Sequence, residues 1–308
     1  ADRSRTSTRV MANRPDDVGG RVEKVDAMNE DNAARHDPTG RFRGRVAVVI
    51  GASRDPSIGR AVAFRLGAEG ASVVLNGRTP AALREAEDAM REAGIPVASV
   101  VGSVGDEGVA DQVVRAAVDE FGRIDLVVNT VGGATYRGSP RELGRSDLLD
   151  TFELNTWTAL AVVQSALAHG LAEGGGAVVN TSSGTVNKTT PSMLAYAVAK
   201  SGLNAMTRTL ARDLAADGVR VNGVAPGLTR TSATRQMWES DDGESAGSQT
   251  PLRRLTSADD IAAAVCFLLS DDAASITGIT LDVDAGNHLQ SGWTPITESP
   301  STPGATPN

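Results

Sequence analysis

Cysteine is almost missing: Cys266 is the only one in 308 residues. One thiol cannot build a disulfide framework, and its place in the apolar run Ala262-Ala263-Ala264-Val265-Cys266-Phe267-Leu268 reads as a small core side chain in a reducing, cytoplasmic protein. Aromatic residues make up 3% of the chain, which argues against an aromatic-rich β-sandwich and suits a layered α/β core of Ala, Val and Leu. No apolar run approaches the roughly 20 residues of a membrane span, and no secretory leader pattern is present, so no membrane partner is expected. Basic charge is also short. A net charge of -8 cannot provide the field that neutralises a phosphate backbone, so no nucleic-acid partner is expected. Histidines 36, 169 and 288 lack metal-ligand spacing and have no second cysteine to help them, so no metal is expected.

What remains is strongly patterned. Residues 1–43 and 291–308 are polar and show no apolar period; both are expected to be disordered tails flanking one domain over 44–290. Inside it, short apolar runs alternate with helical patterns. The predicted strands are Val46 to Ile50, Ser72 to Asn76, Val97 to Val101, Ile124 to Asn129, Ala177 to Thr181, Val219 to Val224 and Ile279 to Val283, each apolar on both faces as a covered sheet requires. Right-handed crossovers turn this order into a doubly wound parallel sheet of the Rossmann type, with about seven strands and helices on both faces.

The first strand runs into Gly51-Ala52-Ser53-Arg54-Asp55-Pro56-Ser57-Ile58-Gly59-Arg60. This is neither G-x-G-x-x-G nor a Walker A loop, yet it lies where a helix N-terminus would meet the pyrophosphate of a dinucleotide. Gly51 allows the sharp exit, Gly59 the close packing, and Ser57 an N-cap. The second strand ends in Asn76-Gly77-Arg78, without the carboxylate that would bind a free ribose. Arg78 and Arg54 together offer two guanidinium groups for a 2′-phosphate, so NADP(H) is favoured over NAD(H).

The chain has two tyrosines and three lysines, yet Tyr196 and Lys200 stand four apart at the start of a predicted helix, which places them on one face. Ser183 lies upstream, where the fifth strand runs into a loop at the carboxyl edge. The residues Gly51, Gly59, Asn129, Asn155, Ser183, Tyr196-x-x-x-Lys200 and Pro226-Gly227-x-x-x-Thr231, in this order, resemble the short-chain dehydrogenase/reductases over roughly residues 44–287. Their nearest likeness is to 3-oxoacyl-carrier-protein reductases and related ketoreductases.

The resemblance implies roles. Tyr196 would protonate the oxygen of a carbonyl as hydride reaches its carbon, with Lys200 lowering the phenol pKa and holding the nicotinamide ribose. Ser183 would hydrogen-bond the substrate oxygen, and Asn155 would support a water chain to the lysine. Cofactor contacts would come from Gly51, Ser53, Arg54, Ser57, Ile58, Gly59, Arg78, Ser103, Val104, Asn129, Pro226, Gly227, Thr229 and Thr231, besides Tyr196 and Lys200. Substrate walls would come from Gly132, Gly133, Tyr136, Met193 and Trp238, the last on a flexible lid over Ser232 to Thr250.

The sequence departs from the family pattern at Ile50, where threonine is usual, in two extra residues of the glycine loop, at Ser103 in place of an aspartate, and in Asn129-Thr130-Val131-Gly132-Gly133. The longer loop resembles enoyl reductases of the same superfamily, but the x-x-x spacing of tyrosine and lysine favours carbonyl chemistry. The expected activity is NADPH-dependent reduction of a ketone, free or bound to a carrier protein. Oxidation of a secondary alcohol and a nucleotide-sensing protein without turnover are the alternatives. The family also implies a homodimer or homotetramer joined through helices beginning near Ser146 and Tyr196.

Overall fold

The computed structural model describes residues 40–290, apart from the side chains of residues 241, 242 and 244. The two expected tails lie outside the described residues, except for residues 40–43. These form a turn, not a tail: Phe42 is fully buried, its N–H donates to the Glu69 carbonyl, and Arg41 pairs with the Glu69 carboxylate at 2.6 Å. One aromatic ring among polar residues was too weak a signal to mark a boundary.

The elements, in chain order, are β1 (Val46–Ile50), α1 (Ile58–Ala68), β2 (Ser72–Gly77), α2 (Pro80–Glu92), β3 (Val97–Val101), α3 (Val109–Phe121), β4 (Leu126–Asn129) and α4 (Arg145–Phe152). A π-turn (Glu153–Trp157) joins α4 to α5 (Thr158–Ala168), followed by β5 (Ala177–Thr181), α6 (Leu194–Asp213) and β6 (Arg220–Pro226). Then come β7 (Thr229–Arg230), α7 (Arg235–Trp238), α8 (Asp241–Gln249), β8 (Thr256–Ser257), α9 (Ala258–Leu269) and β9 (Thr280–Val283). All seven expected strands form one sheet in the order β3-β2-β1-β4-β5-β6-β9, and each hydrogen-bonded pair in it is parallel. The two-residue β7 and β8 form a separate small ladder that the sequence did not suggest.

Period-two alternation sorts the strand side chains between two cores. Ala47 and Val49 of β1, with Val128 and Val179, face a layer that contains Leu66 of α1, Met90 of α2 and Val265 and Leu268 of α9. Val46, Val48 and Ile50, with Val127 and Val178, face Val113 of α3, Val162 of α5 and Ala211 of α6. Each fully buried Leu, such as Leu66 and Leu268, contributes roughly 1.5–3 kcal/mol by leaving water. Cys266 lies in the first core, where burial pushes its thiol up to about 12. The edge strands β3 and β9 are only partly buried, a departure from the expectation of two covered faces, because an edge strand has a neighbour on one side only. The chain begins mid-sheet, winds outward to β3, and returns beside β1 as β4. That reversal opens a crevice at the carboxyl ends of β1 and β4, where ligands bind in such sheets.

Candidate active site

The glycine loop stands at this crevice. Gly51 leaves β1 with φ +88°, a left-handed conformation that only glycine adopts cheaply, and the N–H groups of Gly51 and Ala52 both donate to the Asn76 carbonyl. A Cβ at Gly51 would stand 2.7 Å from Thr130 Oγ1, and one at Gly59 would stand 2.5 Å from the Gly51 carbonyl oxygen. Thr130 therefore clamps both glycines from β4, a role the sequence reading missed. Ser57 caps α1 by accepting from the Arg60 N–H at 3.2 Å, so the amides of the first turn, Ile58 and Gly59 among them, open toward the crevice.

Ser53 is buried against Gly77, where a Cβ would lie 2.5 Å from its own. That contact seats the glycine loop against the end of β2, which Arg78 follows. Arg54 and Arg78 are both exposed, and among the described residues neither has an ion-pair or hydrogen-bond partner for its side chain. Asn76 is buried and spans to β3, its Nδ2 donating to the carbonyls of Val100 and Gly102.

Two expected cofactor residues turn inward. Val104 packs in the core behind β1 and β2, leaving Ser103 as the more accessible of that pair. Asn129 is buried, and its Nδ2 donates to Asn180 Oδ1 at 2.8 Å; Asn180 in turn donates to Thr207 on α6. This ladder holds β4, β5 and α6 in register and takes up the Asn129 Nδ2, while the Asn129 Oδ1 is buried without a hydrogen-bond partner among the described residues.

The reactive side chains meet where β5 ends. Ser183 begins a 3-10 turn, accepts from the N–H and hydroxyl of Thr185, and acts on the Tyr196 hydroxyl, pulling its pKa down. Lys200 is buried one helical turn along α6; its Nζ donates to the Thr181 carbonyl at 2.7 Å and lies 5.8 Å from the centre of the Tyr196 ring. Burial lowers Lys200 to about 7. Tyr196 departs from expectation. Burial raises its pKa, against the opposing pull of Ser183 and of the Arg137 charge. The lysine does not offset this, because it is itself stripped of water and bonded to a carbonyl.

Asn155 occupies the π-turn, the kind of local insertion often found at functional sites. Its Nδ2 donates to the carbonyls of Gly133 and Thr151, and its Oδ1 accepts from the Gly133 N–H at 3.0 Å. Both amide hydrogens are thus occupied, and any relay water could only donate to Oδ1. A Cβ at Gly132 would lie 2.6 Å from Asn155 Oδ1 and 2.7 Å from Lys200 Nζ. The loop after β4 therefore fills the space between asparagine and lysine, and any larger residue there would displace one or both side-chain ends.

The buried lysine makes a pH prediction. Between about 7 and its ordinary 10.5, the unfolded chain holds a proton on Lys200 that the folded chain has released. Folded stability should therefore rise with pH across that window by roughly 1.4 kcal/mol per unit, with the gain lost again as pH falls toward 7. Urea unfolding between pH 6.5 and 9.5 should show this slope, and Lys200→Met should remove it. Equal slopes in the two proteins would refute the shift.

The far wall comes from β6 onward. Gly227 follows Pro226, donates to the Val283 carbonyl, and would carry a Cβ 2.8 Å from that of Asp284. Thr229 and Thr231 are buried, the first bonded to Gly227 and Thr256 and the second to Thr234. Residues 232–250, the segment expected to form a lid, carry a 3-10 turn, α7 and α8, with Ser240 capping α8. The polar composition masked that cap. Trp238 donates its indole N–H to the Thr231 carbonyl, and the Ser232 N–H donates to the Pro56 carbonyl, so this wall touches the glycine loop. Met193 is buried at the start of α6, Tyr136 donates to the Ser139 carbonyl, and a Cβ on Gly133 would meet nothing within 4 Å.

Two features lie apart. A cavity of about 410 Å³ opens at the opposite, amino edge of the sheet, lined in part by Arg41, Arg45 and Arg220. Those arginines are held by Glu69, Asp125 and backbone carbonyls, so this space belongs to the scaffold. Folding also gathers Asp282, Asp284 and His288, which linear spacing had not suggested. Asp284 accepts from the N–H groups of Gly286 and His288 and from the His288 ring, fastening the turn after β9 and holding His288 above its usual pKa.

A sequence-family profile described as enoyl-(acyl carrier protein) reductase matches residues 51–288. "Dehydrogenase/reductase SDR family member 4" of Caenorhabditis elegans is 34% identical over 253 residues, covering 80% of this chain and 96% of that protein. The chain belongs to the short-chain dehydrogenase/reductase family. Among solved members, a short-chain type dehydrogenase/reductase from Mycobacterium ulcerans superposes with a TM-score of 0.77 at 32% identity, covering 82% of this chain and 92% of that one. A 7α-hydroxysteroid dehydrogenase solved with NADH and 7-oxo glycochenodeoxycholic acid gives 0.76 at 27%, covering 82% and 97%. A short-chain dehydrogenase from Burkholderia cenocepacia solved with NADP gives 0.74 at 30%, covering 80% and 99%. This short-chain dehydrogenase/reductase is accordingly an oxidoreductase of alcohols and carbonyls, and nicotinamide nucleotides are the cofactors of its neighbours. No helix among the described residues is long and apolar enough to cross a membrane.

Proposed function

We propose that this enzyme reduces a ketone to a secondary alcohol at the expense of NADPH, with Tyr196 as the general acid. The observation that carries the reading is the convergence of Ser183, Tyr196 and Lys200 at the end of β5, beside the switch-point crevice. Tyr196, raised above its ordinary value by burial, rests as the protonated phenol, which is the form that donates. In this reading its hydroxyl and that of Ser183 share one substrate oxygen. Ser183 stabilises the negative charge that grows there while Tyr196 passes over its proton. Lys200 stands behind the phenol as a cation poised near neutrality, able to offset the phenolate left by that transfer. The same groups run in reverse would take a proton from an alcohol, and the ratio of reduced to oxidised nucleotide sets the direction.

The residues fit a dinucleotide. Gly51 and Gly59 leave a cradle that side chains would fill, the first-turn amides of α1 would meet the pyrophosphate there, and Pro226-Gly227 with the backbone of Thr229 and Thr231 would close the other wall. When bound, the nucleotide supplies the hydride. Exposed, unpaired Arg54 and Arg78, with no acid at the end of β2, support a 2′-phosphate and hence NADPH. Arg54→Ala and Arg78→Ala should each raise KM for NADPH by roughly tenfold and leave KM for NADH unchanged. Equal effects on both cofactors would reject the assignment.

Self-association is part of the same proposal. Leu149, Phe152 and Trp157 on the α4–α5 side, and Leu194 and Val198 on α6, are each more than 40% exposed, and α4 packs on α6, so they form a continuous apolar face suited to a second copy of the chain. A cytoplasmic setting suits the single, buried thiol. The reaction itself is tested by following NADPH absorbance with β-ketoacyl, cyclic and quinone-type ketones. Cofactor oxidation with alcohol formation is expected, and tight nucleotide binding without turnover of any ketone would favour a sensing protein instead.

A further inference from the structure

We propose that Arg137 recognises an anionic group on the substrate, so that the ketone reduced here carries a carboxylate or a chemically equivalent anion away from its carbonyl. The inference rests on the ketone-reduction reading and names the substrate class within it. Arg137 belongs to the loop that leaves β4 at the carboxyl edge; two fastenings hold that loop beside the reacting groups, and one more braces the loop internally. The backbone of Gly133 is bonded on both sides to Asn155. Tyr136 donates its hydroxyl to the Ser139 carbonyl, and the Gly138 N–H donates to the Ser192 carbonyl at 3.2 Å. Ser192 itself sits at φ 62°, four residues before Tyr196, so residue 137 is brought to the rim of the crevice next to the phenol. The guanidinium is near enough that its charge acts on the Tyr196 hydroxyl.

Yet that guanidinium is exposed and has no ion-pair or hydrogen-bond partner among the described residues. Asp147, a nearby acid, is turned to the Gly144 N–H. Across the crevice, on the loop after Ser183, Lys188 bonds only the neutral Asn287 and Gln290. In a chain with 38 acids and 30 bases, acids are plentiful enough to neutralise both positions, but the fold leaves both flanking cations without a carboxylate. A neutral ketone has no use for a free planar cation. A carboxylate would accept two parallel hydrogen bonds from it, and the positive rim would draw such a substrate toward an otherwise acidic protein.

The test uses the full chain with NADPH and matched ketone pairs, each a keto acid and its methyl ester, in linear, cyclic and aryl series; 4-oxocyclohexanecarboxylate and its ester form one pair. The wild type should favour the acid in at least one series by roughly 10- to 100-fold in kcat/KM, expressed in KM. Arg137→Gln should erase that preference by raising KM for the acid, any change in rate through Tyr196 falling on acid and ester alike and cancelling in their ratio; Arg137→Lys should restore part of the preference, and Arg137→Glu should invert it. Equal losses on acid and ester would mean that Arg137 acts through Tyr196, and would overturn the proposal. So would the absence of acid preference in every series. Calorimetric titration of the corresponding hydroxy acids and esters onto the NADP-saturated protein separates the two readings. Acid-selective binding lost in Arg137→Gln without any ketone turnover sustains the anion site while refuting ketone reduction. Ketone turnover with no selectivity in binding or rate refutes the anion site alone.

Discussion

Tyr196→Phe should lower kcat by about 10²–10⁴-fold while leaving the dissociation constant for NADPH within about twofold. The substitution removes one oxygen from a half-buried ring, keeps the contact with the Lys200 ammonium at the ring face, and leaves the glycine loop untouched. Only the proton donor is lost, so chemistry and nucleotide binding should separate cleanly. Stopped-flow measurement of NADPH oxidation under single-turnover conditions, beside fluorescence titration of NADPH, reads both quantities. A variant that retains wild-type turnover would show that the proton comes from elsewhere, Ser183 or solvent, and would remove the central assignment.

Gly132→Ala should lower kcat/KM on the order of 100-fold at little cost in stability. The added methyl would lie 2.6 Å from Asn155 Oδ1 and 2.7 Å from Lys200 Nζ, distances at which something must move. The ends of two side chains are easier to displace than the sheet behind them, so the fold should survive. The lysine, however, would leave the Thr181 carbonyl that fixes it, and the asparagine would loosen its hold on Gly133. A displacement of about 1 Å at such a site is enough for a loss of that size. Gly133→Ala is the matched control, because its Cβ would meet open space; activity within about twofold of wild type is expected. Urea denaturation should place all three proteins close together. If Gly132→Ala and Gly133→Ala are equally active, the wedge between Asn155 and Lys200 is not needed for catalysis.

What could be read from the chain alone was the part governed by local geometry. The seven apolar runs formed the seven strands, Ser57 capped the first helix, and Tyr196 and Lys200 shared a helical face, because pleat, cap and helical repeat act between residues close in sequence. Only the tertiary structure decided which polar groups are spent on the scaffold and which are left for chemistry. Asn129 is committed to β5, Asp284 to its own turn, and Gly132 to a gap between residues far apart in the chain, whereas Arg54, Arg78 and Arg137 remain free. It also set the acidity of Tyr196 and Lys200, since burial from water and the distance to neighbouring charges are properties of packing that no spacing along a sequence encodes.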